Sequence, residues 1–227
     1  MSFPGDLGQP VNVRVGNNFM KLDASGSSAV LRIIEVVSVD EVVVFNHRST
    51  PSVQKYQDVN RCGPMVEDYY LVYRNYLYDS QYGGTSRCVK FHKIVPYTDI
   101  HGLTKISWAR HGFARLYMHG HDTVTSTPGY TARNLHTITS HHEPAAWNHH
   151  TIYSDCTTCY IGRHHYARNG YGCTLWRAAS IISQNRTDYC DFIFDAVCGS
   201  SPKYYIYDPA CEDVPETIVT KKAPWSE

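Results

Sequence analysis

Eight cysteines constrain this chain more than any other feature, and seven of them fall between Cys88 and Cys211. Because this number and spread are unusual for a reduced cytosolic enzyme, we predict a disulfide framework formed in an oxidising compartment. A structural zinc site is the alternative, since Cys156 and Cys159 form a C-x-x-C and the chain has 13 histidines. Zinc ribbons need a second paired set of ligands, whereas the later cysteines are single and far apart, so we expect no metal and no cofactor.

Length and composition narrow the class further. At 227 residues the chain can bury a core of its own, as one domain with or without an extension. Its 21 basic and 21 acidic residues balance, and no basic stripe indicates nucleic acid or an anionic membrane as a partner. The 18 tyrosines and seven phenylalanines, against four methionines, predict a strand-rich interior lined by aromatic rings.

Signals for export disagree with one another. The first residues, Met-Ser-Phe-Pro-Gly-Asp-Leu-Gly, lack the charged start and the apolar segment of a signal peptide. The cysteines and the sequon Asn185-Arg186-Thr187 nevertheless indicate an oxidising secretory route, with Asn185 as the glycosylation site. We therefore expect a secreted, extracellular protein whose leader is missing from this sequence or replaced in it.

Residues 1–60 differ in pattern from the rest and are predicted to form an N-terminal extension. Val11 to Val15 alternates strictly, and Ala29 to Phe45 is rich in valine and isoleucine. Four charges in that second run argue against a membrane span. Two strands, or one strand and a short helix, are both compatible with this region, and Ser52 to Asn60 is a candidate short helix.

From Tyr69 onwards the pattern is that of an antiparallel strand meander. Tyr69 to Tyr76 is β-branched and aromatic, Gly83-Gly84 marks a turn, and Cys88 to Val95 alternates with Val89 and Phe91 on one face. Short strands separated by Gly, Pro and Asn turns predict a sandwich or a closed barrel. The further candidate strands are Thr104 to Ala109, Ala114 to Met118, Thr123 to Thr127, Asn134 to Thr139, Thr151 to Ser154, Thr158 to Arg163 and Gly172 to Ala178.

One helix is predicted near the C-terminus. Thr187 can cap its start, and Gly199 is placed to end it. Cys190 and Cys198 lie eight residues apart and so share a face, which is predicted to dock on the strands. A final strand, Lys203 to Asp208, follows the helix.

Together these motifs are similar to those of the tick salivary lipocalins, the family that includes the histamine-binding proteins. The resemblance covers about two thirds of the chain, Tyr69 to Cys211. It implies an all-β fold with one C-terminal helix: an eight-stranded antiparallel lipocalin barrel, disulfide-stapled, at residues 61–213, with a tail at 214–227. The residues that carry it are Tyr69-Tyr70-Leu71-Val72 leading to Gly83 and Cys88, Tyr153-Ser154-Asp155 leading to Cys159, Leu175-Trp176, and the spaced Cys190 and Cys211.

The family pattern also implies a cysteine pairing. It joins the barrel wall to the helix and the first strand pair to the C-terminal segment. With three pairs taken from that pattern, the two remaining cysteines are left to pair with each other. The implied bridges are Cys88 with Cys211, Cys159 with Cys190, Cys173 with Cys198 and, as the remaining pair, Cys62 with Cys156.

The resemblance marks positions for ligand binding as well. Amine-binding relatives carry an acidic residue directly after the cysteine of one motif and a glutamate directly before Leu-Trp, where this chain has Tyr160 and Thr174. Both motif carboxylates are therefore absent. Tyr76, Asp79 and Tyr82 stand at places where amine binders have pocket residues, although Asp79 could equally open a turn.

Trp176 also has two interpretations, as a core residue of a strand and as a ligand contact. Three pairs of histidines, His141-His142, His149-His150 and His164-His165, fall in predicted loops or at strand ends. They are expected to be solvated, and the alternative is a role in metal binding or in an interface.

Several kinds of partner suit such a barrel, which can enclose one small ligand. A cation such as histamine needs a carboxylate, because a buried ammonium is costly unless it is paired. An apolar lumen would instead suit a leukotriene, fatty acid or sterol. The alternative is a scaffold whose loops bind a host defence protein such as a complement component. No hydrolase, zinc-protease or phosphate-loop motif is present, so we predict a monomeric binding protein and not an enzyme.

Overall fold

The computed structural model describes residues 11–15, 18–22, 54–62, 67–98, 101–109, 115–140, 143–184 and 189–215, with the backbone alone described at 11–15, 18–22, 95–98 and 143–144. Its strands are β1 (Val11–Val15), β2 (Asn18–Leu22), β3 (Tyr69–Arg74), β4 (Arg87–Thr98), β5 (His101–Ala109), β6 (Arg115–Thr125), β7 (Leu135–Ser140), β8 (Glu143–Ser154), β9 (Cys159–His164), β10 (Gly172–Ala178) and β11 (Tyr204–Tyr205). The α-helix is α1 (Tyr189–Cys198), and short 3-10 helices lie at Val59–Cys62, Arg168–Gly170, Ala179–Ile181 and Pro209–Cys211.

Strands β3 to β10 form a closed antiparallel barrel. Each strand pairs with the next one along the chain, and β10 pairs back with β3 to close the sheet. The short β11 also pairs with β3, while β1 and β2 pair with each other. The predicted eight-stranded barrel with one C-terminal helix is confirmed.

Several strands are longer than predicted: β8 begins at Glu143 and not at Thr151, and β6 joins two predicted strands. Residues 114–118 and 123–127 were expected to be two strands, but β6 runs without a break from Arg115 to Thr125. Residue 120 lies inside this strand, and a side chain there would collide with β7, because a Cβ would lie only 2.9 Å from Cγ2 of Ile138. Glycine avoids this collision. The buried side of β6 therefore reads Met118, Gly120, Asp122 and Val124, as the period of two in a strand requires.

Helix α1 packs outside the barrel against β9 and β10. Its buried residues Ile193 and Phe194 form a second core with Leu175 and the half-cystines of the wall. Because the lumen lies on one side of β10 and the helix on the other, every residue of β10 is buried. The predicted helix is confirmed from Tyr189 onwards, while its predicted cap Thr187 and the sequon residue Asn185 lie outside the described residues.

All eight cysteines are bridged. The cluster of Asp155, Cys159 and Cys190 has metal-ligand spacing, but both of its sulfurs belong to a disulfide and offer no thiolate. The bridges are Cys62–Cys156, Cys88–Cys211, Cys159–Cys190 and Cys173–Cys198, the same pairs that the family pattern implies.

Residues 54–62 form a floor across one end of the barrel. Oε1 of Gln54 accepts hydrogen bonds from the backbone N–H groups of Thr131 and Ala132 at 2.8 and 3.2 Å. The rings of Tyr56 and Tyr153 stack with their centroids 5.6 Å apart. The predicted boundary at residue 60 thus falls inside a segment that packs on the barrel. Ala29 to Phe45, the valine-rich run, lies outside the described residues.

Residues 75–86 form a lid at the opposite end. They connect β3 to β4 and contact the loop between β9 and β10, where the Nδ2 atom of Asn75 donates to the carbonyl of Tyr171 at 3.1 Å. Gly83 has φ +81°, and a Cβ there would lie 2.6 Å from the Trp108 ring. Residue 83 must therefore be glycine for the lid to pack against Trp108 at this end of the barrel.

No helix within the described ranges is long and apolar enough to cross a membrane.

Candidate ligand-binding site

A cavity lies in the lumen between the floor and the lid. Its volume is about 80 Å³, counted as the space open to the centre of a water-sized sphere. On this measure one water needs about 10 to 15 Å³, so the cavity has room for several waters or one small ligand. Val59 and Cys62 contribute to it from the floor, and Tyr82 contributes from the lid.

One wall of the cavity is aromatic. Trp176 on β10 lies between Tyr82 and Phe91, with ring centroids 6.1 and 6.3 Å apart and edge-to-face angles. Trp147 donates its indole N–H to the Tyr82 hydroxyl at 3.3 Å. Ile106 and Ile138 complete the apolar lining. A flat ring can pack against such a wall in the offset or edge-to-face arrangements that aromatic groups prefer.

A buried carboxylate stands in the same cavity. Asp122 is 2% exposed, and its Oδ2 atom lies 2.8 Å from Nδ1 of His136. Because an ionised carboxylate only accepts hydrogen bonds, we assign the proton to Nδ1 of His136. Its Nε2 atom then accepts from the Thr151 hydroxyl at 3.0 Å. Asp122 is thus held in place by a neighbour that also lines the cavity.

Three imidazoles form a row along the lumen. His149 stacks on His136 with centroids 4.3 Å apart and lies 5.1 Å from His164. Burial is the main cause that lowers the pKa of His164 to about 4 and holds the pKa of His149 well below its usual value. At neutral pH these two rings are therefore uncharged.

Lys93 supplies the lumen with a cation. Its side chain is 8% exposed, and Nζ donates to the carbonyl oxygen of Cys62 at 2.5 Å. Burial lowers the pKa of Lys93 to about 8, although the negative charge of Asp122 acts in the opposite direction. An amine with this pKa is still mostly protonated at pH 7.

The residues predicted from the family motifs divide into two groups. Tyr82, Tyr160 and Trp176 line the cavity. Thr174 is not among the lining residues but contacts two of them: its hydroxyl oxygen accepts from the Trp176 indole at 2.9 Å and lies 2.8 Å from Nε2 of His164. Burial is the main cause that raises the pKa of the Tyr160 hydroxyl.

Tyr76 and Asp79 belong to the lid itself and are not among the residues that line the cavity. The Asp79 carboxylate accepts from the Tyr76 hydroxyl at 2.6 Å and from the Tyr166 hydroxyl at 3.1 Å. It also accepts from the backbone N–H groups of Gln81 and Tyr82, at 3.0 and 2.9 Å. These contacts match the interpretation of Asp79 as a turn residue.

The prediction of solvated histidines is wrong for three of them. His149 and His164 face the lumen, and His150 is 7% exposed on the outer side. Residues 149 and 164 lie inside strands, where adjacent residues point to opposite faces, so each doublet sends its first imidazole inward. His165 is exposed, and His141-His142 lie outside the described residues.

Two polar groups of the cavity, Asp122 and Lys93, were not assigned to it from the sequence. Asp122 fell in the predicted gap between two strands, whereas period-two alternation through β6 places it with Met118 and Val124. Lys93 follows Val89 and Phe91 at the same spacing, which predicts the inner face.

The chain is similar to several solved structures. A solved structure titled as the serotonin complex of AM182 has a TM-score of 0.53 and 20% identity, covering 71% of this chain and 94% of that one. Japanin from Rhipicephalus appendiculatus bound to cholesterol has a TM-score of 0.43 and 11% identity, covering 64% and 96%. Insecticyanin from the tobacco hornworm Manduca sexta has a TM-score of 0.47 and 10% identity, covering 67% and 82%. None of the curated protein sequences matches the chain.

The family described as "Tick histamine binding protein" matches residues 47–213. This is well over half of the chain, and it includes the floor, the barrel, the lid and the helix. The family is one of ligand-binding proteins and not of enzymes, as predicted. The chain is a member of the tick histamine-binding protein family, built as a disulfide-stapled lipocalin barrel.

Proposed function

We propose that the protein captures a small aromatic amine in its lumen, with the ammonium on Asp122 and the ring against Trp176, Tyr82 and Phe91. The observation that carries the proposal is the buried Asp122 carboxylate in the wall of a cavity whose lining is mainly aromatic and apolar. A desolvated ammonium is costly unless it is paired, and a carboxylate inside such a cavity provides the pair.

Asp122 would take the place of the carboxylates that Tyr160 and Thr174 do not provide. It projects from β6, whereas those two positions are on β9 and β10. The amine would therefore bind toward the floor, whose 3-10 helix residues Val59 and Cys62 line the same cavity as Asp122 and His136. Trp176 and Tyr82 would then contact the ring on the side toward the lid.

The neutral imidazoles favour the same ligand. Positively charged rings would repel an incoming ammonium, but the lowered pKa values keep His149 and His164 uncharged at neutral pH. Aromatic faces add attraction for a cation, about 0.5 to 2 kcal/mol for each well-placed ring.

The biological role follows from the family and from the covalent frame. Four disulfides and membership of a tick histamine-binding family indicate an extracellular, secreted protein. We propose that it is released in saliva and lowers the concentration of a host inflammatory amine at the feeding site. Capture requires only binding, and the stapled barrel reduces the ordering cost of that binding.

Calorimetric titration of the oxidised protein with histamine and with serotonin tests the proposal. We expect one site with sub-micromolar affinity for at least one of the two amines. Arachidonic acid and cholesterol are titrated in parallel as the lipid alternatives. Binding of a lipid with no measurable binding of either amine would overturn the amine proposal and identify a lipid-capturing lipocalin.

A further inference from the structure

We infer that Lys93 is the resident cation of the amine site: an incoming ammonium competes with the Lys93 ammonium for Asp122, and Lys93 gives up a proton when the amine binds. The inference rests on the proposed function, because it concerns how the same cavity accommodates a ligand cation. It makes Lys93 a residue that sets affinity and its pH dependence.

The placement of the two charges is the first support. Lys93 on β4 and Asp122 on β6 both line the cavity, with β5 between their strands. The negative charge of Asp122 favours the protonated form of Lys93, because it raises the lysine pKa against the effect of burial. The carboxylate that would receive a ligand ammonium therefore already stabilises a protein ammonium.

Binding of an amine removes that stabilisation. A ligand cation on Asp122 neutralises the charge that favours protonated Lys93, and it adds repulsion between two cations inside a poorly solvated cavity. Both changes favour the neutral lysine. Burial, which already lowers the lysine pKa, remains unchanged.

Loss of the proton leaves the contact of Lys93 with the floor intact. A neutral lysine amine keeps two N–H bonds and can still donate to the carbonyl oxygen of Cys62, 2.5 Å away. Protonation can thus change without moving the side chain. This distinguishes Lys93 from an arginine, which stays charged at any physiological pH.

Among the described residues that line the cavity, Lys93 is the one whose shifted pKa lies near neutral pH. The pKa values of His149 and His164 are lowered far below 7, while that of Tyr69 is raised to about 12. Tyr82 and Tyr160 are raised as well. The groups that face the lumen with Lys93 are Cys62 from the floor, Tyr69 from β3, Asp122 from β6, His136 from β7, His149 from β8, Tyr160 and His164 from β9, and Tyr82 from the lid.

The direct test is calorimetry with serotonin in two buffers of different ionisation enthalpy, phosphate and Tris, at pH 7.5. With a pKa of about 8, roughly three quarters of Lys93 is protonated at this pH. We expect about 0.75 proton released per amine bound, and an affinity that rises about fivefold between pH 7 and pH 8. This measurement needs no variant and so cannot fail through misfolding.

Two variants and a control complete the design. At pH 7.5, Lys93→Met should abolish proton release and tighten binding about fourfold, whereas Lys93→Arg should abolish release and weaken binding. Lys105→Met is the matched control, because Lys105 lies on the neighbouring strand β5 and is not among the cavity-lining residues, so release should be unchanged.

The outcomes separate the two proposals. Serotonin that binds without releasing a proton, or that still releases one from the Lys93→Met protein, overturns the inference and leaves the amine site standing. If neither serotonin nor histamine binds, both the proposed function and this inference fail.

Discussion

The Asp79 carboxylate lies 3.4 Å from the Arg74 guanidinium, and neither side chain is exposed. Arg74 also donates to the carbonyls of Leu77 and Gly84, at 2.7 and 2.6 Å. One buried ion pair thus ties both ends of the lid to the end of β3. The charge of Asp79 serves to position Tyr82 over the cavity, which leaves Asp122 as the carboxylate within the cavity wall.

Replacing Asp79 should therefore affect folding first. Asp79→Asn keeps the shape but leaves Arg74 as a buried charge without its counterion, and we expect a loss of about 3 to 5 kcal/mol in the free energy of unfolding. Urea denaturation measures it. Asp213→Asn, at an exposed position, is the matched control and should change little. Unchanged stability with lost amine affinity would instead assign Asp79 to the ligand.

Thr174 should contribute through the two side chains that it supports. Thr174→Val is nearly isosteric but leaves the Trp176 indole N–H and Nε2 of His164 without their partner, so we expect a loss of about 1 to 3 kcal/mol in stability. The control is Thr104→Val, where a single hydrogen bond to the carbonyl of Gly120 is removed from an equally buried threonine. Thermal melting should rank the control as the milder change, and the reverse order would contradict this role of Thr174.

Stability should fall as the pH drops from 6.5 to about 4. The pKa of His164 is about 4 in the folded protein, against a usual value of 6.5. Between these two pH values the unfolded chain binds the proton more readily, which stabilises it relative to the folded protein. The effect of this group is at most about 3 kcal/mol. Above pH 6.5 both states are unprotonated, and the effect disappears.

Urea unfolding at pH 7 and pH 4.5 measures this loss. The His164→Gln protein can keep a hydrogen bond to Thr174 but cannot titrate, and its loss over the same range should be smaller than that of the wild type. Equal losses in the two proteins would show that His164 does not carry the proton.

The Cys62–Cys156 bridge should hold the floor. It closes a loop with a sequence separation of 94 and fixes the 3-10 helix that carries Val59 and the Cys62 carbonyl. We expect the double variant Cys62→Ala/Cys156→Ala to lose about 2 to 5 kcal/mol. Because this floor borders the cavity, amine affinity should fall in the same variant, as calorimetry below its melting temperature would show. A fall in stability with full affinity would exclude a role for the floor in binding.

Much of the barrel could be predicted from the sequence, because strand alternation, turn residues and cysteine spacing are local signals. Helix α1 could be predicted because Cys190 and Cys198 are spaced to lie on one face of a helix. The continuity of β6 was missed, since His119-Gly120-His121-Asp122 has the composition of a turn. Only the partner strand β7 shows that Gly120 makes room for Ile138.

The site was harder to predict than the fold for a physical reason. Polar groups are unexpected inside a barrel, so Lys93, Asp122 and His149 were not assigned to the inner face. Each is accommodated by a neighbour from another strand or from the floor: Lys93 by the Cys62 carbonyl, Asp122 by His136, and His149 by stacking between two imidazoles. These pairings depend on register, which the sequence alone does not reveal.

The most direct measurement is the titration of Asp122→Asn with histamine and serotonin beside the wild type and the Asp213→Asn control. An asparagine of the same shape removes the charge at the ammonium position, so we predict a loss of affinity of 100-fold or more, about 3 kcal/mol, with the fold intact by circular dichroism. The control should bind like the wild type. Amine affinity that survives in Asp122→Asn would contradict the assignment of Asp122 as the group that holds the ligand.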